Sequence, residues 1–372
     1  MPIVKKSGVL SSDEAYKLIS PVIIELFDEA NMDPRAEENV AEKLGFVPFE
    51  AVTKGGQIQT KLGIQGTPLV GEWSAYTVDE TKYGNKISYD VERAFPGSKM
   101  SSEAKIWIEK ASGLTDVPEV LKTDLSNSGN DLKEKVKRIK ITQNEYLTRI
   151  FTEGFKTISA EYGPGSAVYD GKALFAIDHI VAATGTTYSN IIEDDTTSTN
   201  YGALTYAHLR KAVDRLRYMK DGIGNRVKRP SNGIFDLIVS PELEGTALDI
   251  LADLNSFSPY TYTGATASNE NFANVWVTRD GFKVRLTVLE TMNQPYSQDT
   301  SVNVGSATMW FLMNKEGAMM RQAFRDIKFR DTEIEVFYDQ DIKATVMTAE
   351  KFFGAQALYP ECVVGSKGTG AI

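Results

Sequence analysis

The strongest periodic signal in the chain runs from Asp131 to Glu161. Leu132, Val136, Ile139, Gln143, Leu147, Ile150, Gly154 and Ile158 recur there at intervals of three or four among Lys, Arg and Glu. This spacing draws one stripe along a single α-helix. It predicts a helix of about thirty residues, well above the usual length in globular domains, so the element must lie across a sheet or a neighbour as a spine. Gly163-Pro164-Gly165 stops it. A first helix is predicted over residues 11–31, where Ser11-Ser12-Asp13-Glu14 offers an N-cap and Leu18, Val22 and Leu26 are spaced by four. Ser101-Ser102-Glu103 caps a short helix through Trp107. Residues 205–220 place Leu209, Ala212, Val213, Leu216 and Met219 together, and Ser240-Pro241-Glu242 opens the helix that carries Leu248 and Leu251.

Period-two patterns fill much of the rest. Ile87, Tyr89 and Val91 share one face of a half-buried strand within residues 83–95, and the apolar run Ile234 to Val239 reads as a buried strand. Further strands are predicted over 274–278, 282–289, 307–313, 322–329, 333–338 and 342–348. Elements in this order imply a mixed α+β class. Residues 46–73 differ: Gly55, Gly56, Gly63, Gly66 and Gly71 punctuate short alternating runs, the mark of an extended two-stranded excursion. A lone hairpin is marginal in water. Ile58, Leu62, Ile64, Leu69, Val70 and Trp73 therefore need a partner surface, and residues 50–80 are expected to contact another subunit more than their own core. The tail from Ser366 to Gly370 reads as mobile.

Composition narrows the classes. The chain has 372 residues, 42% hydrophobic and 24% charged, enough for one large domain or two or three smaller ones. Lys+Arg number 41 against Asp+Glu 50, a net charge of -9, which opposes non-specific adhesion to nucleic acid or an anionic membrane. The single cysteine, Cys362, excludes an internal disulfide, and with two histidines it leaves too few soft ligands for a zinc cluster. No run approaches the roughly 20 apolar residues that span a bilayer, so no membrane partner is expected.

No catalytic constellation emerges. Gly-x-Ser-x-Gly, the phosphate-cradling Gly-x4-Gly-Lys-Ser/Thr and a strand-borne Gly-x-Gly-x-x-Gly are all missing. Gly222-Ile223-Gly224-Asn225-Arg226-Val227 follows a helix and reads as a loop. Asp178-His179 could form a base with its orienting acid, as in a hydrolase, but adjacent residues on an extended segment point to opposite faces; His179 is read as structural or superficial, and His208 likewise. The acidic run Glu193-Asp194-Asp195 lies in a Thr/Ser/Asn-rich stretch and reads as a solvated loop, with a calcium site as the alternative. No catalytic, cofactor or metal residue is therefore assigned. One basic cluster stands out: Arg210, Lys211, Arg215, Arg217, Lys220, Arg226, Lys228 and Arg229 face only Asp214 and Asp221. It can pair with the acidic surface of a neighbouring copy or contact phosphates, and without a known nucleic-acid motif beside it subunit pairing is the stronger reading.

Tyr169-Asp170-Gly171-Lys172-Ala173-Leu174-Phe175, then His179 and Tyr188-Ser189-Asn190, resemble the major head proteins of Mu-like tailed phages and prophages. Ile238-Val239-Ser240-Pro241-Glu242-Leu243-Glu244-Gly245-Thr246-Ala247-Leu248 adds to the resemblance, as do Lys351-Phe352-Phe353-Gly354-Ala355 and Tyr359-Pro360. A departure is Ile177-Asp178 before the histidine, where small hydroxyl residues are familiar. The resemblance implies the Hong Kong 97 capsid fold: an N-terminal arm over 1–49 lying along a neighbour, an extended loop over 50–80, a peripheral domain of 81–165 and 325–353 with the spine helix, and an axial domain of 166–324 and 354–372. It implies a non-enzymatic subunit of hexamers and pentamers in an icosahedral head enclosing double-stranded DNA, with weak non-specific contact to that DNA and assembly in the bacterial host cytoplasm. Portal and a separate scaffolding chain are the other implied partners, with no cleaved scaffolding leader. Arg226, Lys228 and Arg229 would meet Glu193, Asp194 and Asp195 of another copy. An encapsulin-type shell around a protein cargo is the alternative within the fold, and a hydrolase using Asp178 and His179 the alternative outside it.

Overall fold

The computed structural model describes residues 34–64, 81–90, 92–94, 97–99, 137–156, 167–181, 185–195, 199–255, 283–297, 299–339 and 344–370. The helices predicted over 11–31 and from Ser101, and the strand over 274–278, lie outside these residues. Along the chain come α1 (Pro34–Glu37), α2 (Val40–Lys43), β1 (Val47–Glu50), β2 (Gly55–Ile64), β3 (Thr81–Asp90), β4 (Glu92–Ala94), β5 (Gly97–Lys99) and α3 (137–152). Then follow β6 (His179–Ile180), β7 (Thr187–Tyr188), α4 (Tyr206–Tyr218), β8 (Ile234–Val239), α5 (Glu244–Asn255), β9 (Lys283–Val288), β10 (Trp310–Met313), α6 (Lys315–Arg321), β11 (Phe324–Asp339), β12 (Ala344–Ala357) and β13 (Val363–Ser366). The class is mixed α and β.

The chain divides into two compact units. One comprises residues 1–37, 91–143 and 328–353. Within it β12 pairs antiparallel with β4, Phe352 opposite Arg93, and with β5, Met347 opposite Ser98. Arg93 binds Glu350 at 2.6 Å and lies over the Phe352 ring, whose edge meets Phe329. The sequence reading split 322–338 into two strands at the polar triplet Arg330-Asp331-Thr332, whereas β11 is one strand of 16 residues. No Gly or Pro interrupts it, so pairing with β12 carries the ladder through the polar stretch.

The second unit comprises residues 38–90, 144–327 and 354–372. Its four-stranded sheet has the order β13-β10-β8-β9. β10 is antiparallel to both β13 and β8, and β8 is parallel to β9 through the α5 crossover. Trp310 to Met313 and Phe235 to Val239 are all buried, as continuous apolar runs demand when both faces of a sheet are covered. The α4 helix packs on β10 and β13, and α5 packs on β9, so the two helices serve opposite edges of the sheet. Thr205 caps α4 by accepting from the His208 N–H at 3.2 Å.

An aromatic cluster forms the core of this unit. Phe151 meets Phe46, Phe311 and Phe324, and Phe175 stacks on Phe155 and Phe311. That cluster ends the long helix early. The apolar spacing predicts helix to residue 161, but α3 stops at 152 and the chain turns at Gly154, whose carbonyl accepts from the Phe175 N–H at 2.9 Å. A Cβ on Gly154 would lie 2.4 Å from the Ile150 carbonyl oxygen, and the turn swings Phe155 into the aromatic cluster. The tail is another correction. Val363 to Ser366 form an edge strand, Gly370 accepts from the Tyr201 N–H at 2.9 Å, and Lys367 accepts from Thr308 Oγ1 at 2.7 Å.

Candidate assembly interface

The hairpin is broader than its sequence signal. β2 pairs with β3, Ile58 opposite Ile87, so the returning strand is 81–90 and lies beyond the expected 50–80 boundary. The part of the ladder nearest residues 65–80 is gripped by the body of its own unit. Tyr359 Oη accepts from the Lys61 N–H at 2.7 Å and donates to the Lys61 carbonyl at 2.9 Å. Arg321 Nη2 donates to the Leu62 carbonyl at 3.4 Å, and the Asn85 N–H donates to Tyr169 O at 3.0 Å. Leu62 is buried at 4% exposure, and a Cβ on Gly222 would lie 2.7 Å from its Cδ2. Leu62, expected to face another copy, thus packs on its own chain because the glycine there leaves room for it. Ile58 is half-buried. Leu69, Trp73 and the side chain of Ile64 lie outside the described residues. Val52 is 92% and Tyr83 61% exposed at the hairpin.

The acidic run is also engaged within the chain. Glu193 binds Arg215 at 2.9 Å and Lys211 at 3.4 Å, and Asp195 binds Lys211 at 3.4 Å and lies 3.5 Å from His208 Nε2. Burial would raise the Glu193 carboxyl, but the hydrogen bond and charge of Arg215 outweigh it and hold the group below its ordinary value. Asp194 closes a turn, its N–H donating to Asn200 O at 2.9 Å. These pairs join the 189–195 segment to α4 and use Lys211 and Arg215 of the basic cluster internally. Lys220, Arg226, Lys228 and Arg229 are exposed on the loop after α4. Asp221 builds that loop by accepting from the N–H groups of Ile223 and Asn225 at 3.1 and 2.8 Å. Arg226 lies over the exposed Tyr218 ring at 5.4 Å, and Lys228 is 3.7 Å from Glu316.

Asp178 and His179 do not form a pair. Asp178 binds Lys172, whereas His179 is fully buried with Nδ1 2.9 Å from Asp170 Oδ2 and Nε2 3.2 Å from Leu174 O. A ring enclosed in this way meets no substrate, so the hydrolase alternative loses its geometry. Asp170 also accepts from the N–H groups of Lys172 and Ile180. Burial would raise its carboxyl, but the His179 hydrogen bond and charge, with the two amides, hold it below the ordinary value. Asp170→Asn is expected to cost about 1–3 kcal/mol of stability, the usual range for stranding a buried polar partner. Because the folded-state value is depressed, this contribution is present above the ordinary 3.8 and is lost as pH falls through the folded value. Urea midpoints of wild type and variant should therefore converge at acid pH.

A second buried group escaped sequence reading. Glu361 is 1% exposed and binds Arg321 at 2.9 Å, and Arg321 reaches Asp221 at 3.3 Å and lies over the Tyr359 ring at 4.9 Å. One guanidinium thereby ties the Leu62 end of β2, the 221–227 loop and the 359–361 segment together.

The sequence profile described as phage capsid protein matches residues 163–365, more than half of the chain. The chain belongs to that family: it is a phage capsid protein, a structural protein of the phage head. No curated protein matches it in sequence. Among solved structures it is similar to the capsid of cyanophage A-1(L), at 13% identity over 92% of this chain and 95% of that one, with a TM-score of 0.46. It is also similar to the mature capsid of bacteriophage PhiM1, at 12% identity over 91% and 88% with a TM-score of 0.42. A virus-like particle from Pyrococcus furiosus shows 10% identity over 95% and 99% with a TM-score of 0.36. Family membership stands on the sequence profile, not on these likenesses.

Proposed function

We propose that the chain is the major subunit of a Hong Kong 97-type icosahedral head, of the Mu-like phage and prophage subtype, and that it assembles into hexamers and pentamers around double-stranded DNA. The observation that carries this reading is the hairpin: two ten-residue strands whose ladder is held to the body of the subunit, at the end next to residues 65–80, by Tyr359, Arg321 and Gly222, an anchored base suited to a loop that laps a neighbouring subunit. The unit of 38–90, 144–327 and 354–372 then carries the axial domain together with the hairpin, and the unit holding β4, β5 and most of β11 is the peripheral one, with an arm ahead of them. Portal, a separate scaffolding chain and weakly bound DNA complete the partners, and assembly takes place in the host cytoplasm.

Negative-stain microscopy of the expressed protein, with scaffold supplied where needed, is expected to show closed particles. Replacing residues 65–80 by a short Asn-Gly turn should leave the thermal midpoint of the subunit unchanged and abolish those particles. A variant that assembled normally would overturn the lapping role. Particles from the native host that carry an enzyme cargo and no nucleic acid would overturn the phage-head role.

A further inference from the structure

The engagement of Glu193 and Asp195 within the chain removes the acidic partners expected for the exposed cations after α4. Lys220 and Arg226 have no ion pair among the described residues. Beside them lies an open cavity of about 360 Å³, lined by Val181, Thr187, Tyr188, Arg215, Tyr218 and Lys220 among others. Its lining includes the buried Val181 and Met219 and the exposed Lys220.

The complement sits on the opposite edge of the same sheet. In α5, Ala247 and Leu251 face the core, while Glu244, Leu248 and Asp249 are exposed, Leu248 at 51%. Glu244 and Leu248, four residues apart, lie on one face of the helix, and Asp249 follows on the adjoining exposed side. Residues 241–251 contain no Lys or Arg, and neither Glu244 nor Asp249 has an ion pair or hydrogen bond among the described residues. The exposed Leu248, with a carboxylate one turn before it and another just after it, thus complements a cavity that holds Val181 and Met219 beside exposed cations.

We infer that Leu248 of one copy seats in this cavity on the next copy, with Glu244 and Asp249 against Lys220 and Arg226. The inference deepens the shell reading by naming the contact that joins axial domains. Knob and hole lie on different patches at opposite edges, so the contact is head-to-tail, and repetition of such a contact closes a ring where the rotation permits. Each exposed pair is worth at most about fivefold in association, and the ring multiplies the weak contacts.

Three full-length variants test the pairing. Glu244→Lys with Asp249→Lys, and Lys220→Glu with Arg226→Glu, should each weaken capsomer formation about twentyfold in sedimentation velocity, with unchanged thermal midpoints since all four residues are exposed. Combining the four substitutions should restore most of the loss. A combined variant no better than its parents, or parents that assemble like wild type, would overturn the pairing. A readout independent of shells is oxidation of the Leu248→Cys, Thr187→Cys variant, because the native Cys362 is buried. It should give a ladder of cross-linked species beyond the dimer that neither single variant gives. If wild type forms no closed particles, the shell reading fails while this ladder still decides the contact; its absence overturns the contact whatever the particles do.

Discussion

Phe311→Ala is expected to lower the unfolding free energy by about 3–5 kcal/mol, the range for removing a large aromatic side chain from a packed core. Phe311 is fully buried at the middle of β10, where both neighbouring strands cover it. Its ring stacks on Phe175 at 5.3 Å and meets the edge of Phe151 at 5.7 Å. The position opposite in the ladder is Gly365, where a Cβ would fall 2.7 Å from Phe311 and 2.8 Å from Phe175. The two rings therefore occupy the volume that a side chain on β13 would take, and nothing nearby can collapse into the hole without moving a strand. Gly365→Ala should itself destabilise, by about 1–3 kcal/mol through overpacking. Combining Phe311→Ala with Gly365→Ala should cost less than the sum of the two, because the added methyl enters the vacated space. Urea unfolding of the four chains measures all of this. Strict additivity would show that the two positions do not share volume.

Which parts of this architecture were legible in the sequence follows from the range of the interactions that fix them. β8 and α4 could be read to within a residue or two because local signals specify them: an unbroken apolar run in one case, the Thr205 cap and a stripe of Leu209, Ala212, Val213 and Leu216 in the other. The end of α3 could not. Its apolar spacing continues past Gly154, and only the aromatic cluster formed with Phe175, Tyr201 and Phe311 decides where Phe155 goes. The α6 helix was missed because Asn314 and Gln322 cap a segment containing Gly317, a composition that resembles a turn. The partners of charged residues were least accessible. Asp178 stands next to His179 in sequence, but Asp170, nine residues away, reaches the ring. Glu193 meets Arg215 across 22 residues, so an acidic run that reads as a free surface is satisfied at home. That difference moves the candidate interface from 193–195 to α5.

The second large effect is expected at Arg321. Truncation to alanine should cost about 3–5 kcal/mol, as for removing one partner of a buried ion pair, and most of that is the penalty on Glu361. Its carboxylate is enclosed, and among the described residues neither oxygen has a hydrogen-bond partner beyond the ion pair. Burial pushes the Glu361 carboxyl up, and the Arg321 charge offsets this only in part, so the group stays above its ordinary 4.5. The sign of the pH dependence follows. A carboxyl raised in the folded state binds its proton more tightly there than in the unfolded chain, so its contribution to stability grows as pH falls from the folded value toward 4.5. Without the guanidinium the folded value rises further and the slope steepens. Arg321→Ala should therefore lose most at neutral and alkaline pH and recover toward pH 5. Adding Glu361→Gln removes the buried charge, so an Arg321→Met, Glu361→Gln double variant should regain most of the loss and flatten the profile. The Lys61 stretch of its hairpin should remain in place through Tyr359, whose hydroxyl holds both backbone groups of Lys61. Chemical denaturation from pH 5 to 8 separates these outcomes. A single variant whose deficit does not change with pH, or a double variant no more stable than the single, would show that the deficit arises from lost packing on the Tyr359 ring and not from the buried carboxylate.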